Sequence, residues 1–251
     1  MVNFICLGIL GVILGSFYNV VGLSVPAKLS FTTRRSACPS CNKTLTAIEL
    51  IPIVSYILQG GKCRGCKAAI SPLYPIIELM TGLLFALSYH VFGLSGEFFV
   101  SLALVSLLMI IFVTDIKYML IPDKILLFFA VVFLFLRIFY PLAPWWDSLL
   151  GAAVGFGLLL LIAIVSRGGM GGGDIKLFAV LGLVLGTKHV LLGFMFSTFY
   201  GAIFGVAGML LGKVKKKNPI PFGPFIVFGA LTAYFYGDVL LDLYFSTWVL
   251  P

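Results

Sequence analysis

Apolar runs of about twenty residues recur from one end of the chain to the other, and polar residues cluster in the gaps between them. Twenty residues of helix rise about 30 Å, the thickness of a bilayer's hydrocarbon core, so such runs predict transmembrane helices. Eight are expected, at about 3–23, 72–92, 98–114, 124–140, 148–166, 175–187, 190–212 and 221–241. The sixth is short and contains glycine, so it stands either as a half-helix or as the beginning of the seventh. The glycine run before it would place irregular backbone at the membrane, which is tolerated only where protein buries it or it lines a wet cavity. The expected fold class is all-α: a polytopic helical membrane protein with about eight transmembrane segments and a small cytoplasmic four-cysteine loop.

The gaps set the orientation. The gap after the first run holds Lys28, Arg34, Arg35, Lys43, Lys62, Arg64 and Lys67. The next gaps on the same side hold Lys117 and Lys124, then Arg167 and Lys176, then Lys213, Lys215, Lys216 and Lys217. Only Arg137 and Lys188 fall towards the other side. Basic loops stay in the cytoplasm, so these four gaps face in and both termini face out. The outer gap Tyr140–Asp147 carries Trp145 and Trp146, residues that anchor at a membrane interface. The N-terminus lacks a basic n-region, so the first helix is expected to be retained rather than cleaved as a signal peptide.

Composition agrees with that picture. Of 251 residues 61% are hydrophobic and 10% charged, against about 25% charged in a soluble domain. Mean hydropathy is +1.15. The net charge of +8 reflects the basic loops and topology; no nucleic-acid-binding pattern accompanies it, so nucleic acid is not expected as a partner.

The first cytoplasmic loop carries Cys38-Pro-Ser-Cys41 and Cys63-Arg-Gly-Cys66, with 21 residues between the pairs. Four thiolates in two Cys-x-x-Cys knuckles suit tetrahedral zinc. Disulfides are rare in the cytoplasm, which places structural zinc ahead of disulfides and of a redox pair. A closed four-cysteine site has no open ligand position, so its expected role is to fold the loop. Between the knuckles, residues 49–58 are apolar but too short to span, and are expected at the interface or against the membrane domain. Cys6 reads as an ordinary packing residue of the first helix.

The acids carry the candidate chemistry. Asp115 ends the third run and Asp174 opens the sixth, both at the cytoplasmic edge. Two carboxylates brought together can divide the roles of general base and general acid in peptide hydrolysis. Gly171, Gly172 and Gly173 leave backbone free of side chains where a substrate strand would lie. Other readings stand beside this one. Asp174 serves equally well as a helix N-cap, and Asp115 as an interfacial charge paired with Lys117; a proton- or ion-coupled transporter would also use such acids. Asp123, after Pro122, reads as an N-cap. Glu78, within the second run, requires a partner or a function. His90 and His189 lie near the outer side, and no Gly-x-Ser-x-Gly is present, so no rival nucleophile constellation appears.

Taken together these residues resemble the bacterial type IV prepilin peptidase family of the pilus, type II secretion and competence systems. The resemblance rests on Gly15-Ser-Phe-Tyr-Asn-Val-Val21, the two cysteine knuckles, Pro52-Ile-Val-Ser-Tyr56 and 70–79. It continues through Asp115 and Ile121-Pro-Asp123, Gly171-Gly-Gly-Asp174-Ile-Lys-Leu177, and Pro221-Phe-Gly-Pro224. It implies an aspartic endopeptidase of the Gly-x-Gly-Asp type with Asp115 and Asp174 as its dyad, and a bound zinc on Cys38, Cys41, Cys63 and Cys66. The implied substrates are prepilins or pseudopilins, cut after a glycine that follows a short basic leader, at the cytoplasmic face of the bacterial inner membrane. S-adenosylmethionine would then methylate the new N-terminus. Gly22-Leu-Ser-Val-Pro26 departs from the Tyr-Arg-Leu-Pro-like stretch usual there, and no glycine-rich Rossmann turn marks a methyl-donor site. The expected organisation is a first helix over 1–23, the zinc loop over 24–71 and the transmembrane peptidase domain over 72–251. A coupled transporter and a non-catalytic pilus or secretion scaffold are the alternatives.

Overall fold

The computed structural model describes residues 2–30, 35–212 and 221–248. Arg34 and the lysines Lys213, Lys215, Lys216 and Lys217, on which the orientation argument draws, lie outside the described residues. The eight helices of the described residues are α1 (Val2–Ser24), α2 (Val54–Leu58), α3 (Leu73–Phe92), α4 (Gly96–Tyr118), α5 (Asp123–Phe139), α6 (Asp147–Val165), α7 (Gly172–Leu210) and α8 (Gly223–Trp248). A single 3-10 turn, Ile48–Leu50, precedes α2.

Six of these helices, α1, α3, α4, α6, α7 and α8, are long and apolar enough to cross a membrane. All eight expected runs are helical, but they do not make eight separate spans of that kind. At 17 residues, α5 is only about 25 Å long, short of the hydrocarbon thickness. The sixth and seventh runs are joined in α7, whose 39 residues are interrupted at Gly186, with φ 74° and ψ 176°.

The chain divides into two compact units, Met1–Lys117 and Tyr118–Pro251. In the first, α1 and α3 run antiparallel along a seam of small residues. A Cβ on Gly11 would lie 2.7 Å from the Thr81 carbonyl, and one on Gly15 would lie 2.8 Å from Glu78 Cα. Without side chains between them the two backbones approach closely, a membrane-helix device. Further along α1, Gly22 meets Val113 of α4, and the Tyr18 and Ser106 hydroxyls share a hydrogen bond of 2.6 Å. α4 has no polar face and is buried continuously from 104 to 115, as a helix apolar all round must be.

In the second unit α7 packs against α5, α6 and α8. Gly151 and Gly155 of α6 lie directly on the backbone of α7, at Gly182 and Phe178. At the interruption, the Asp147 carboxylate in the first turn of α6 accepts the Thr187 N–H at 3.2 Å and caps the second rod of α7. A break at Gly186 also interrupts the i→i+4 ladder to which the Val184 carbonyl would contribute. The Nη2 of buried Arg137, on α5, donates to that carbonyl, and its Nη1 donates to the Tyr140 carbonyl at 3.2 Å.

Candidate metal centre and acidic residues

The two cysteine knuckles have the same local construction. The Cys38 amide donates to the Lys43 carbonyl and the Asn42 amide returns to the Cys38 carbonyl, at 3.0 and 2.9 Å. In the second knuckle Cys63 donates to Ala68 and Lys67 returns to Cys63, at 2.9 and 3.0 Å. Each turn closes through a residue with positive φ four places after its first cysteine, Asn42 at 56° and Lys67 at 59°. Antiparallel bridges, Ala37 to Thr44 and Lys62 to Ala69, pin the two loops at their bases.

These turns bring all four sulfurs within 4.8 Å of one another, with Cys38 Sγ and Cys66 Sγ 3.8 Å apart. A tetrahedron of thiolates at about 2.3 Å from a metal has sulfurs about 3.8 Å apart, so the donor set and its spacing both fit a structural zinc site. The amides of Cys41 and then Ser40 donate to the Cys38 sulfur and hold its thiol down at about 6. At Cys66 the Ala68 amide pulls down, but burial and the three neighbouring thiols outweigh it and push the thiol up to about 11. Thiols this close cannot all ionise without a cation among them, which is the condition a dication supplies.

Between the knuckles Glu49 organises the 3-10 turn. Its Oε2 accepts from both the Thr46 amide and the Thr46 hydroxyl at 2.9 Å, and its Oε1 lies 3.4 Å from Lys43 Nζ. The Thr46 amide, then its hydroxyl, hold the Glu49 carboxyl below the usual carboxylate range. The turn and the segment after it leave Ile48, Ile57 and Leu58 exposed, the arrangement expected of a segment lying against lipid. Glu78 of α3 reaches this segment: its Oε2 accepts the Ile53 N–H at 2.7 Å, and Ser16 of α1 also hydrogen-bonds to it. The partner that buried Glu78 required is therefore the apolar loop segment, held by its backbone.

The two candidate catalytic acids stand in different units, each described by itself. Asp115 is buried in the last turn of α4. Asp174 is partly buried in the first turn of α7, the third residue of that helix. Gly171, in extended conformation, occupies the cap position, so Asp174 is not the N-cap residue. A Cβ on Gly171 would lie 3.1 Å from Asp174 Oδ2, so a side chain there would crowd the carboxylate. Gly172 has open space around its Cα, whereas Gly173 faces Ile121.

Asp123 corrects the sequence expectation. Pro122 is the cap of α5 and Asp123 its first residue, with both carboxylate oxygens on Lys176 Nζ, at 2.8 and 2.9 Å. A Pro-Asp start suggests a cap locally; the cation that engages this acid lies 53 residues further on, beyond the reach of a local rule. His189, on the rod after Gly186, engages Asp238 at 3.3 Å together with Lys188.

Residues 9–92 match the sequence model of the bacterial peptidase A24 N-terminal domain, and residues 102–206 that of the type IV leader peptidase family. The first region holds the four cysteines, Glu49 and Glu78; the second holds Asp115, Asp123, Asp174 and Lys176. The chain is 49% identical over 236 residues to a prepilin leader peptidase/N-methyltransferase of Bacillus subtilis, covering 94% of this chain and 95% of that one. It is 36% identical over 221 residues to one of Aeromonas salmonicida, covering 85% and 75%. With one of Pseudomonas aeruginosa it shares 32% over 268 residues, covering 96% and 92%. No solved structure matches the chain. Two adjoining domain matches and identity sustained over nearly the whole length make this chain a member of the type IV leader peptidase family.

Proposed function

We infer that the protein is a membrane-embedded prepilin leader peptidase that also methylates the N-terminus it creates. The observation that carries this reading is the 49% identity, over 94% of the chain, to a relative named for both activities. A coupled transporter or a passive scaffold would not require that match.

Asp115 and Asp174 are proposed as the catalytic pair. One carboxylate takes a proton from water as it attacks the peptide carbonyl; the other, protonated, donates to the developing oxyanion or the leaving nitrogen. Both acids lie at helix ends that the charge pattern places at the cytoplasmic side, where the basic leader of a membrane-inserted prepilin would emerge. The backbone of Gly171, Gly172 and Gly173 offers an edge without side chains to an extended substrate segment. The localisation that follows is the bacterial cytoplasmic membrane, with the reaction at its inner face.

Zinc is the proposed occupant of Cys38, Cys41, Cys63 and Cys66, as a structural ion that folds the loop. The methyl donor implied by the second activity is S-adenosylmethionine, whose sulfonium supplies the methyl group. No β-strand is present among the described residues, so a donor site of the strand–turn–helix kind is excluded for them.

The test is mass spectrometry of the N-terminus of a co-expressed prepilin, which reads the cleavage site and the methyl group together. The native protein should give a shortened, methylated N-terminus. Asp115→Asn and Asp174→Asn should each leave the leader intact while the protein still inserts, and normal processing by either would refute the pair.

A further inference from the structure

The start of α7 is held to the start of α5 and the residues just before it at two points, one on each side of Asp174 in sequence. At the first, Gly173 faces Ile121: a Cβ there would lie 2.9 Å from Ile121 Cβ. Ile121 is 7% exposed although Met119 and Leu120 before it are 54% and 50% exposed, so burial in this segment begins at the side chain for which Gly173 makes room and continues through Pro122. At the second, Lys176 Nζ sits in the fork of the Asp123 carboxylate, 2.8 and 2.9 Å from its two oxygens. Met119, with φ 50°, and Pro122, in extended conformation, shape the short connection that presents both groups.

The Lys176 and Asp123 side chains are 54% and 69% exposed. Exposed ion pairs add little to stability, being screened and solvated. Their geometry is nonetheless specific: one ammonium serves both oxygens of a carboxylate 53 residues away, two positions after Asp174. With Ile121 against the preceding position, the turn that carries Asp174 is contacted on both flanks. Ile121 and Asp123 also follow Asp115 by only six and eight residues in the chain.

We propose that Asp123 and Lys176 are positioning residues for leader cleavage, their ion pair and the Ile121–Gly173 contact together orienting the Asp174 carboxylate. This rests on the reading of Asp174 as a catalytic acid. Catalysis by a carboxylate depends on its placement to within a fraction of an ångström, and a misplacement of about 1 Å costs roughly a hundredfold in rate. The pair therefore acts on turnover, with substrate binding and fold left in place.

The experiment uses the full-length protein in lipid nanodiscs, with a purified prepilin bearing a basic leader as substrate. Asp123→Asn and Lys176→Met should lower kcat about ten- to hundredfold with KM little changed, the signature of an interaction that matters for the chemical step. Their thermal midpoints should match that of the native protein, which shows that they fold. The charge exchange, Asp123→Lys combined with Lys176→Asp, should recover a large part of kcat. Undiminished turnover in both single variants overturns the proposal. So does a rise in KM alone that the exchange does not correct, because Lys176 would then be a contact for an acidic group of the substrate. Asp174→Asn, measured alongside, separates the two ideas. If it cleaves normally, the catalytic reading falls and this proposal with it; if it is inactive while both pair variants are fully active, only the positioning role falls.

Discussion

Glu78 on α3 accepts the backbone N–H of Ile53 at 2.7 Å, joining a buried carboxylate of the membrane helices to the loop between the cysteine knuckles. Ile53 has φ 61°, a conformation that β-branched residues rarely adopt, so the bond holds the chain in a shape it would otherwise leave. Glu78→Ala should free residues 51–58 and weaken their local protection by about 1–3 kcal/mol, the cost of leaving the Ile53 N–H without its acceptor. Glu78→Gln keeps an acceptor and should lose less. Hydrogen exchange at the Ile53 amide reads the difference directly, and any metal bound by the four cysteines should be retained in both variants.

Arg137 is the counterpart in the second unit. It is buried on α5 and donates to the Val184 carbonyl beside the break in α7. Arg137→Met keeps most of the volume and removes the donors. It should destabilise the protein by about 1–3 kcal/mol, and Arg137→Lys by less. Thermal unfolding in detergent, compared with the exposed-site variant Lys188→Met as control, checks this.

Glu49 makes the four-cysteine loop sensitive to acid. Its carboxyl lies below the usual range because the Thr46 amide, the Thr46 hydroxyl and then Lys43 favour the charged form. The folded form thus binds the proton less readily than the unfolded chain. The stabilisation is complete above the unfolded value, about 4.3, and is lost as pH falls through the lower folded value. At neutral pH Glu49→Gln should exchange the Thr46 amide faster than the native protein. The two should converge once the pH is well below 4, and a difference that persists there would contradict the assignment.

The four-sulfur cluster should hold about one zinc per chain. Cys38→Ser or Cys63→Ser, each removing a buried sulfur, should abolish the metal and expose residues 35–71 to protease. A metal-free native preparation with this segment still protected would show that the knuckles stand without an ion.

The sequence discloses what depends on length, period or fixed spacing. α3 was expected over 72–92 and spans Leu73–Phe92, because a long apolar run bounded by prolines and glycine allows few alternatives. The four cysteines could be grouped because the knuckle spacing alone constrains four sulfurs to one centre. What the sequence does not disclose depends on partners distant along the chain. Gly186 falls where the sixth run gives way to the seventh, and hydropathy leaves a half-helix and a fused helix equally open; the outcome, one helix interrupted at Gly186, depends on Asp147 and Arg137, from two other helices. The engagement of Asp123 with Lys176 leaves no local signal for the same reason, nor does the docking of Glu78 on a backbone amide rather than on a basic side chain.

The bend in α7 has a mechanical consequence. A guanidinium grips one side of the joint and a carboxylate the other; letting go of the first would leave the buried Val184 carbonyl unpaired, at about 1–3 kcal/mol, and the part-buried second bond adds to that hold. Gly186 is thus a locked elbow and not a swivel. The 14-residue forearm, which carries Asp174 near its free end, keeps a constant bearing against the longer shaft behind it; on the proposed reading of Asp174, a substrate must be delivered to the acid rather than fetched by it.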